Sequence, residues 1–528
     1  MKRVFSCRLQ LLAAVVLLWR LCSFGDDGVC IWDRRAPSTQ NVLLTIDGRA
    51  PLASIDVAFL CATLDWWPPD KCDYGTCSWG NDSMLNLDLG NPLLEKALVE
   101  LSPLRLRLGG TLEDLVVYDV GNPPVPCLPF VRAPSSAFGF EGGCLSMARW
   151  SALMKFFQRT GTVIAFGLNA LYNRKKVASG AWGPWNSSNA YDLIQYTVDQ
   201  GFEVQAWELG NELSGSGVGT KVSAVQFAAD MKELRSVIGV LYDGASLKPL
   251  VVAPDGFFDY GWFKQFLTAA GPGGVDVITR HIYNLGPGVS KDLESKILNP
   301  NYLNNEKKNF QTVRSLLQAV APSTVAWVGE AGGAYNSGHH LVTDAFIFSF
   351  WYLDQLGMAA SYGTKVYCRQ SFIGGNYGLL NTTTFEPNPD FYSALLWNRL
   401  MGTTVLAASF KGALYLRAYA HCQKNTTQGG VTILLINLSK LITYKVSTVL
   451  LTAPSKTSTR LEYHLTAANG DLHSQVMLLN GNALGVTLDR NIPTLTPVQV
   501  DSSIPISVAP LSIVFAQLPD ASVQICGS

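Results

Sequence analysis

From Asn41 onward the chain alternates between two patterns. Short runs are rich in Val, Ile, Leu and aromatic residues, and longer stretches repeat their apolar positions every three or four residues. The short runs cover residues 54–60, 104–111, 162–170, 203–212, 249–256, 275–283, 324–332 and 363–372. The longer ones cover 92–101, 147–159, 190–199, 222–241, 262–269, 306–320, 341–356 and 392–401. Strands alternating with helices predict βαβ units and a parallel sheet. Eight such units predict an α/β fold, a closed (β/α)8 TIM barrel over residues 54–402. An open doubly wound sheet is the competing architecture. It would be expected to carry a G-x-G-x-x-G loop after an early strand, and Gly215-Ser216-Gly217-Val218-Gly219 lacks that spacing.

After Gly402 the pattern changes to short β-rich runs, at 413–420, 431–437, 445–451, 460–464, 476–479 and 512–518. Turn residues such as Gly429-Gly430 and Asn480-Gly481 separate them. This predicts an antiparallel β-sandwich over 403–528, joined by an N-terminal strand within 41–53. Lys2, Arg3 and Arg8 ahead of the apolar residues 9–19 predict a signal peptide over 1–25. A single membrane anchor is the competing reading, but the run is shorter than the ~20 residues a spanning helix needs.

Composition narrows the function. Forty basic and forty acidic residues cancel, without a long basic run. Nucleic-acid binding, which wants a basic stripe, is therefore not expected. Nine cysteines follow the signal segment, an odd number that leaves at least one thiol unpaired within the chain. Cys72 and Cys77 share a loop, Cys127 and Cys144 bracket another, and Cys422 and Cys526 could staple the sandwich; the connectivity stays open. No zinc spacing accompanies them, so no metal and no cofactor are expected. Asn81, Asn186, Asn381, Asn425 and Asn437 each open an N-x-[ST] acceptor for glycosylation.

The candidate chemistry centres on Trp207-Glu208-Leu209-Gly210-Asn211-Glu212, which ends the fourth predicted strand in a carboxylate and breaks into a glycine-rich loop. Glu330, in Val328-Gly329-Glu330-Ala331-Gly332-Gly333, ends the seventh. Catalytic residues of such barrels sit at the C-terminal ends of strands, and two carboxyls flanking one bond are the minimal machinery for glycoside hydrolysis. Glu212 is expected to be the general acid/base and Glu330 the nucleophile, while Glu208 reads as a structural ion-pair residue. Asn211 could hydrogen-bond a sugar hydroxyl beside the scissile bond. Trp182, Trp185, Trp207, Trp327 and Tyr335 are candidate aromatic platforms, with Trp207 and Trp327 equally suited to the core. His281 could orient the nucleophile or be an ordinary core histidine. Neither an H-E-x-x-H nor a G-x-S-x-G motif is present.

Residues 207–213, 328–335, Arg369-Gln370-Ser371-Phe372 and Gly375-Asn376-Tyr377-Gly378 resemble heparanase, and more closely the plant heparanase-like β-glucuronidases of glycoside hydrolase family 79. Leu108-Gly109-Gly110-Thr111 and residues 166–171 extend the likeness over nearly the whole chain after residue 25. The resemblance implies a retaining enzyme, with Asp56, Thr111, Asn211, Tyr283, Tyr335, Gln370 and Tyr377 lining a glucuronate subsite. A Gly-Gly pair that would present backbone amides to the uronate carboxylate is Asn336-Ser337 here, so a shifted loop is a risk. The segment 115–149 is short, which implies a single-chain enzyme, and the lack of basic clusters argues against sulfated heparan.

The expected activity is that of a secreted exo-β-glucuronidase releasing β-linked glucuronic acid from a glycan or glucuronide. Two further readings stay open: a heparanase-like endo-β-glucuronidase on a polymer, and a non-catalytic carbohydrate-binding matrix protein. The expected place is extracellular, at the cell wall. The lysosome or vacuole, with peripheral association at a membrane, is the second expectation.

Overall fold

A computed structural model describes residues 36–121, 126–136, 138–215, 217–426, 428–451 and 459–527, and the backbone of 22–24 and 30–32. Apart from that short piece of backbone, the expected signal peptide lies outside the described residues. Eight parallel strands close into a barrel. They are β1 (Leu60–Leu64), β2 (Arg105–Leu108), β3 (Val163–Leu168), β4 (Ala206–Leu209), β5 (Leu250–Phe257), β6 (Val277–Ile282), β7 (Val325–Ala331) and β8 (Val366–Arg369). One main helix follows each: α1 (Pro92–Glu100), α2 (Met147–Arg159), α3 (Ser188–Asp199), α4 (Ala224–Leu241), α5 (Tyr260–Ala270), α6 (Asn305–Val320), α7 (Phe348–Ser361) and α8 (Pro389–Leu400). Local chemistry starts several of them. The side chains of Asn91, Ser146, Ser223 and Asp259 accept N–H groups from the first turns of α1, α2, α4 and α5, which would otherwise be unsatisfied.

Alternation along each strand decides what reaches the barrel interior. Leu60, Ala62, Leu64, Leu106, Leu108, Trp207 and Leu209 pack outward under the helices. Their neighbours Cys61, Ala165, Ala206, Val252, Val277, Trp327 and Cys368 form a separate inner cluster, with the Arg105 guanidinium 4.4 Å from the Trp327 ring. Register shifts between Ala253 and Gly256 on β5, and between Val328 and Ala331 on β7, change the parity along those two strands. Asp255 and Glu330 thereby join the interior above Val252 and Trp327.

Two elements begin more than five residues from where the sequence pattern starts them. The first barrel strand is Leu60–Leu64, not 54–60. Ala53–Ser54 instead pairs with Met401–Ser409 of the second domain, and Asp56 forms a turn in which its Oδ1 accepts the Ala58 N–H at 2.8 Å. The seventh helix begins at Phe348 rather than 341, after Leu341 takes a positive φ of 61°.

Beyond the barrel, twelve strands form one sheet that folds over between Met401–Ser409 and Ser38–Asp47. Ser38–Asp47 lies parallel to Ile442–Leu450. Val431–Asn437 is buried along its whole length because both of its faces are covered. Ile433 and Leu435 face the interior of this sandwich, whereas Leu434 and Ile436 belong to the core shared with the barrel. Asn437 is fully buried here, and its Nδ2 donates to the carbonyls of Ile442, Val508 and Ala509. It is therefore not an accessible glycan acceptor, unlike the exposed Asn81, Asn186 and Asn425 and the half-buried Asn381. Disulfides join Cys72–Cys77, Cys127–Cys144 and Cys422–Cys526, and a fourth, Cys61–Cys368, ties β1 to β8. Among the described residues no helix is long and apolar enough to cross a membrane.

The domains are joined by a buried ion pair. Asp354 of α7 receives Arg417 Nε at 2.7 Å and Nη2 at 3.1 Å, together with the Tyr419 hydroxyl. Removing one partner of such a pair strands the other charge, at a cost of about 3–5 kcal/mol. Asp354→Ala is expected to lower the unfolding free energy from urea titration by that amount; a change below ~1 kcal/mol would show that the junction does not depend on the pair.

Candidate active site

At the C-terminal end of the barrel, one guanidinium organises the interior. Arg107 of β2 is fully buried, and an unpaired charge there would be prohibitively costly. Its Nε donates to Glu208 Oε2 of β4 at 3.1 Å, and its Nη1 to Glu330 Oε2 of β7 at 2.9 Å. Its Nη2 donates to Asn211 Oδ1 at 2.9 Å, lies 3.4 Å from Glu113 Oε2, and contacts Asp255 of β5. Burial by itself would lower its pKa, but Glu208, Glu113, Glu330 and Asp65 outweigh that and raise it. The cation therefore stays charged at every working pH.

The two candidate carboxylates hang on this centre by different routes. Glu330 is held directly, by Arg107 on one oxygen and by the Tyr283 hydroxyl on the other. Burial and the nearby Glu330 raise Tyr283 well above its ordinary range, so it remains a donor. Glu212 is held through a relay: its Oε1 lies 2.9 Å from His281 Nδ1, and His281 Nε2 lies 2.9 Å from Asp255 Oδ1. His281 thus orients the acid/base candidate rather than the nucleophile, a correction to its expected partner. Glu212 itself has φ 58°, and its N–H donates to the Asp255 carbonyl at 2.7 Å. A left-handed glutamate is uncommon and marks a position fixed by its surroundings. Gly217 completes the fit, because a Cβ there would collide with Glu212 Oε2.

An oxygen of Glu212 and an oxygen of Glu330 lie within 4.8 Å of one another. That belongs to the closer of the two carboxylate separations, ~5–5.5 Å, at which the second carboxylate attacks the anomeric carbon; the ~6.5–9.5 Å spacing of inverting enzymes leaves room for a water instead. With His281, the pair also has the proximity of a cation site. Arg107 and Tyr283 already occupy both oxygens of Glu330, however, and Glu212 and Asp255 flank both ring nitrogens of His281. The set is committed to charge pairing, not to ligation.

Around the pair lies a pocket of about 570 Å³. Thr111, Tyr283, Tyr335, Gln370 and Tyr377 line it as expected, and Asn211 sits behind with its Oδ1 held by Arg107. Asp56 does not. It precedes β1, at the opposite end of the barrel, with its N–H on the Lys365 carbonyl. Two aspartates line the pocket instead, Asp73 in the loop 67–79 and Asp65 just after β1, whose Oδ2 accepts Gln370 Nε2 at 2.8 Å. A Cβ on Gly110, which has φ 116°, would collide with Asp65, which accounts for the Gly109-Gly110 step. Trp185, Trp207 and Trp327 are core residues, and Trp182 lies outside this pocket. The aromatic walls are Trp67 and Trp79, in a loop whose clustered Trp, Cys and Pro residues were the overlooked signal. Arg107 and Arg105 had one too, as two arginines alternating with leucines in a barrel strand.

The loop 67–79 is pinned over the rim. Trp79 Nε1 donates to Ser337 Oγ at 2.8 Å, Ser337 Oγ donates to Asp73, and Asn336 Nδ2 donates to the Tyr74 hydroxyl at 3.0 Å. These bonds hold Asn336 and Ser337 at φ 58° and 66°, so the left-handed backbone that glycines would adopt freely is kept despite their side chains.

Burial, reinforced by Glu330, pushes Asp65 up to about 8; Arg107, Gln370 and His281 oppose it. Burial likewise pushes Asp82 and Asp114 to about 7 and Asp390 to about 6. Each holds a proton in the folded state that the unfolded chain, with an ordinary value of 3.8, releases. Their contribution is therefore full below about pH 4 and lost as pH rises through these values. Burial pushes His421 down to about 4, so its contribution is lost in the other direction, below about pH 6.5. Melting temperature is expected to be highest in mild acid and to fall between about pH 6 and 8, with a shallower fall in Asp65→Asn. A flat or rising calorimetric profile over that range would contradict these assignments.

Residues 41–357, more than half of the chain, match the model described as glycosyl hydrolase family 79, N-terminal domain. Heparanase-like protein 3 of Arabidopsis thaliana is 48% identical, covering 92% of this chain and 95% of its own. Baicalin-beta-D-glucuronidase of Scutellaria baicalensis is 40% identical, covering 89% and 90%. Among solved structures, the GH51 arabinofuranosidase of Xanthomonas axonopodis pv. citri superposes with a TM-score of 0.66 over 90% of this chain and 99% of that one, at 16% identity, a likeness of fold alone. With its paired barrel-end carboxylates and a family match across the catalytic barrel, the chain belongs to glycosyl hydrolase family 79.

Proposed function

We propose that this hydrolase cleaves β-linked glucuronic acid with retention of configuration. The observation that carries the proposal is the facing pair Glu212 and Glu330, within 4.8 Å, at the floor of a pocket built for a polar ring. Glu330, held by Arg107 and Tyr283, attacks the anomeric carbon. Glu212 protonates the leaving oxygen and then takes a proton from the water that releases the sugar. For the uronate carboxylate, the run Asn336, Ser337 and Gly338, with φ 58°, 66° and 71°, offers a concave left-handed backbone of the kind that binds anions through N–H groups. The name of the Scutellaria relative, a β-D-glucuronidase, supports the same sugar.

Within this reading we favour release of a terminal glucuronosyl unit. The pinned loop 67–79 closes the rim beside Tyr335 and Tyr377, where a polymer would have to continue. Cleavage within a polymer is the second reading, favoured by relatives that carry the name heparanase-like. The leader and the exposed glycan acceptors support an extracellular enzyme.

The test uses 4-nitrophenyl β-D-glucuronide at acidic pH. Wild type should release nitrophenol, and Glu212→Gln and Glu330→Gln should each lose at least ~10³-fold in kcat. Azide should restore turnover to Glu212→Gln alone, with a β-glucuronyl azide as product. Activity retained in either variant would remove that residue from its role, and an inactive wild type alongside cleaved glucuronic-acid polymer would favour the second reading.

A further inference from the structure

We infer that the catalytic pocket continues into an apolar aglycone site, so that the leaving group is a hydrophobic, ring-bearing alcohol or phenol. The inference deepens the glucuronidase reading and rests on it. Beside the catalytic pocket lies a cavity of about 700 Å³, walled by Leu115, Val117, Phe138, Phe140, Leu171 and Trp182. Phe138 and Gly219 line both spaces, so the two adjoin.

The position of the junction identifies the occupant. Gly219 belongs to the turn that carries Gly217, the glycine whose missing Cβ makes room for Glu212 Oε2. The cavity therefore opens on the side of the acid that protonates the leaving oxygen, whereas the sugar is held around Asp65, Gln370 and Tyr377. A group leaving past Glu212 enters the apolar space.

The walls suit a flat ring system. Val117, Phe140 and Leu171 are buried. Trp182 is half-buried and fixed by its Nε1, which donates to Thr220 Oγ1 at 2.8 Å, while Lys176 Nζ lies 5.2 Å from its ring centre. The charged members of the lining, Glu141 and Lys176, are exposed, and Tyr172 adds a buried polar point, since its hydroxyl has no hydrogen-bond partner among the described residues. An apolar cleft with few fixed polar groups is the usual build of a site for a small organic ligand. A charged sugar would lose hydration against the apolar walls.

The reaction balances with water alone. Glu330 displaces the phenol or alcohol at the anomeric carbon, the C–O bond breaks, and the Glu212 proton goes to the departing oxygen. Water then attacks the glucuronyl ester, returning one proton to Glu212 and leaving free glucuronic acid.

The test compares kcat/KM for 4-biphenylyl and phenyl β-D-glucuronide, which share a phenolic leaving oxygen and differ by one ring. Wild type should prefer the biphenylyl substrate roughly tenfold, chiefly through KM. Trp182→Ala, and independently Leu128→Asn at a position 56% exposed in the groove wall, should each cut that preference several-fold. Both rates come from one preparation, so an unfolded fraction cancels in the ratio. Equal kcat/KM for the two substrates, or a preference unchanged in both variants, would overturn the aglycone site while leaving the glucuronidase reading intact. Failure to cleave either substrate would overturn both.

Discussion

A guanidinium buried in a barrel must be surrounded by acceptors, and in this protein that requirement builds the site. Arg107 gathers Glu208, Asp255 and Glu330 from three other strands, Asn211 from the loop after β4 and Glu113 from the segment after its own strand. Each of these would be costly to bury alone, and Arg107 would be costlier still. Together they form a network with little freedom to rearrange, and the two working carboxylates are its outermost members. Glu330 is fixed at first hand. Glu212 is fixed at third hand, through His281 and Asp255. The difference suits their work: a nucleophile is best held ionised and still, while an acid/base that exchanges a proton twice is better placed beside an imidazole than against a permanent cation.

Backbone geometry serves the same end. Two strand irregularities bring Asp255 and Glu330 inward, and a left-handed conformation at Glu212 turns its side chain toward the shared centre. Asn336 and Ser337 are also left-handed, without the glycines that make this easy. Hydrogen bonds from Trp79, and to Tyr74 and Asp73, hold them so, in a loop closed by the Cys72–Cys77 disulfide. The rim of the pocket is thus built by side chains where a more permissive sequence would rely on backbone freedom.

Much of this was legible in the chain. Eight alternating units announced the barrel, because strand and helix periods differ and eight repeats close. Glu212 and Glu330 stood out because each ends an apolar run where a loop begins. The substrate-side aspartate was placed at Asp56 by the family resemblance; the stretch before β1, which looked like the first strand, turns and pairs with the sandwich instead. Arg107, Asp255 and His281 were harder: a charged residue in a strand can serve the fold or the site, and only spatial neighbours decide. Asn437 carried a glycan motif on a strand whose two faces are both covered, a burial no local pattern discloses.

The most direct measurement is to trap the covalent intermediate. A 2-deoxy-2-fluoro-β-D-glucuronyl fluoride forms the glycosyl–enzyme ester faster than water can cleave it, and digestion followed by mass spectrometry locates the modified residue. A single adduct on Glu330 is the expected result, formed by a nucleophile that Arg107 holds in place. An adduct on another residue would contradict the assignment. An enzyme that consumes the reagent with inversion, and without any adduct, would contradict the retaining geometry itself.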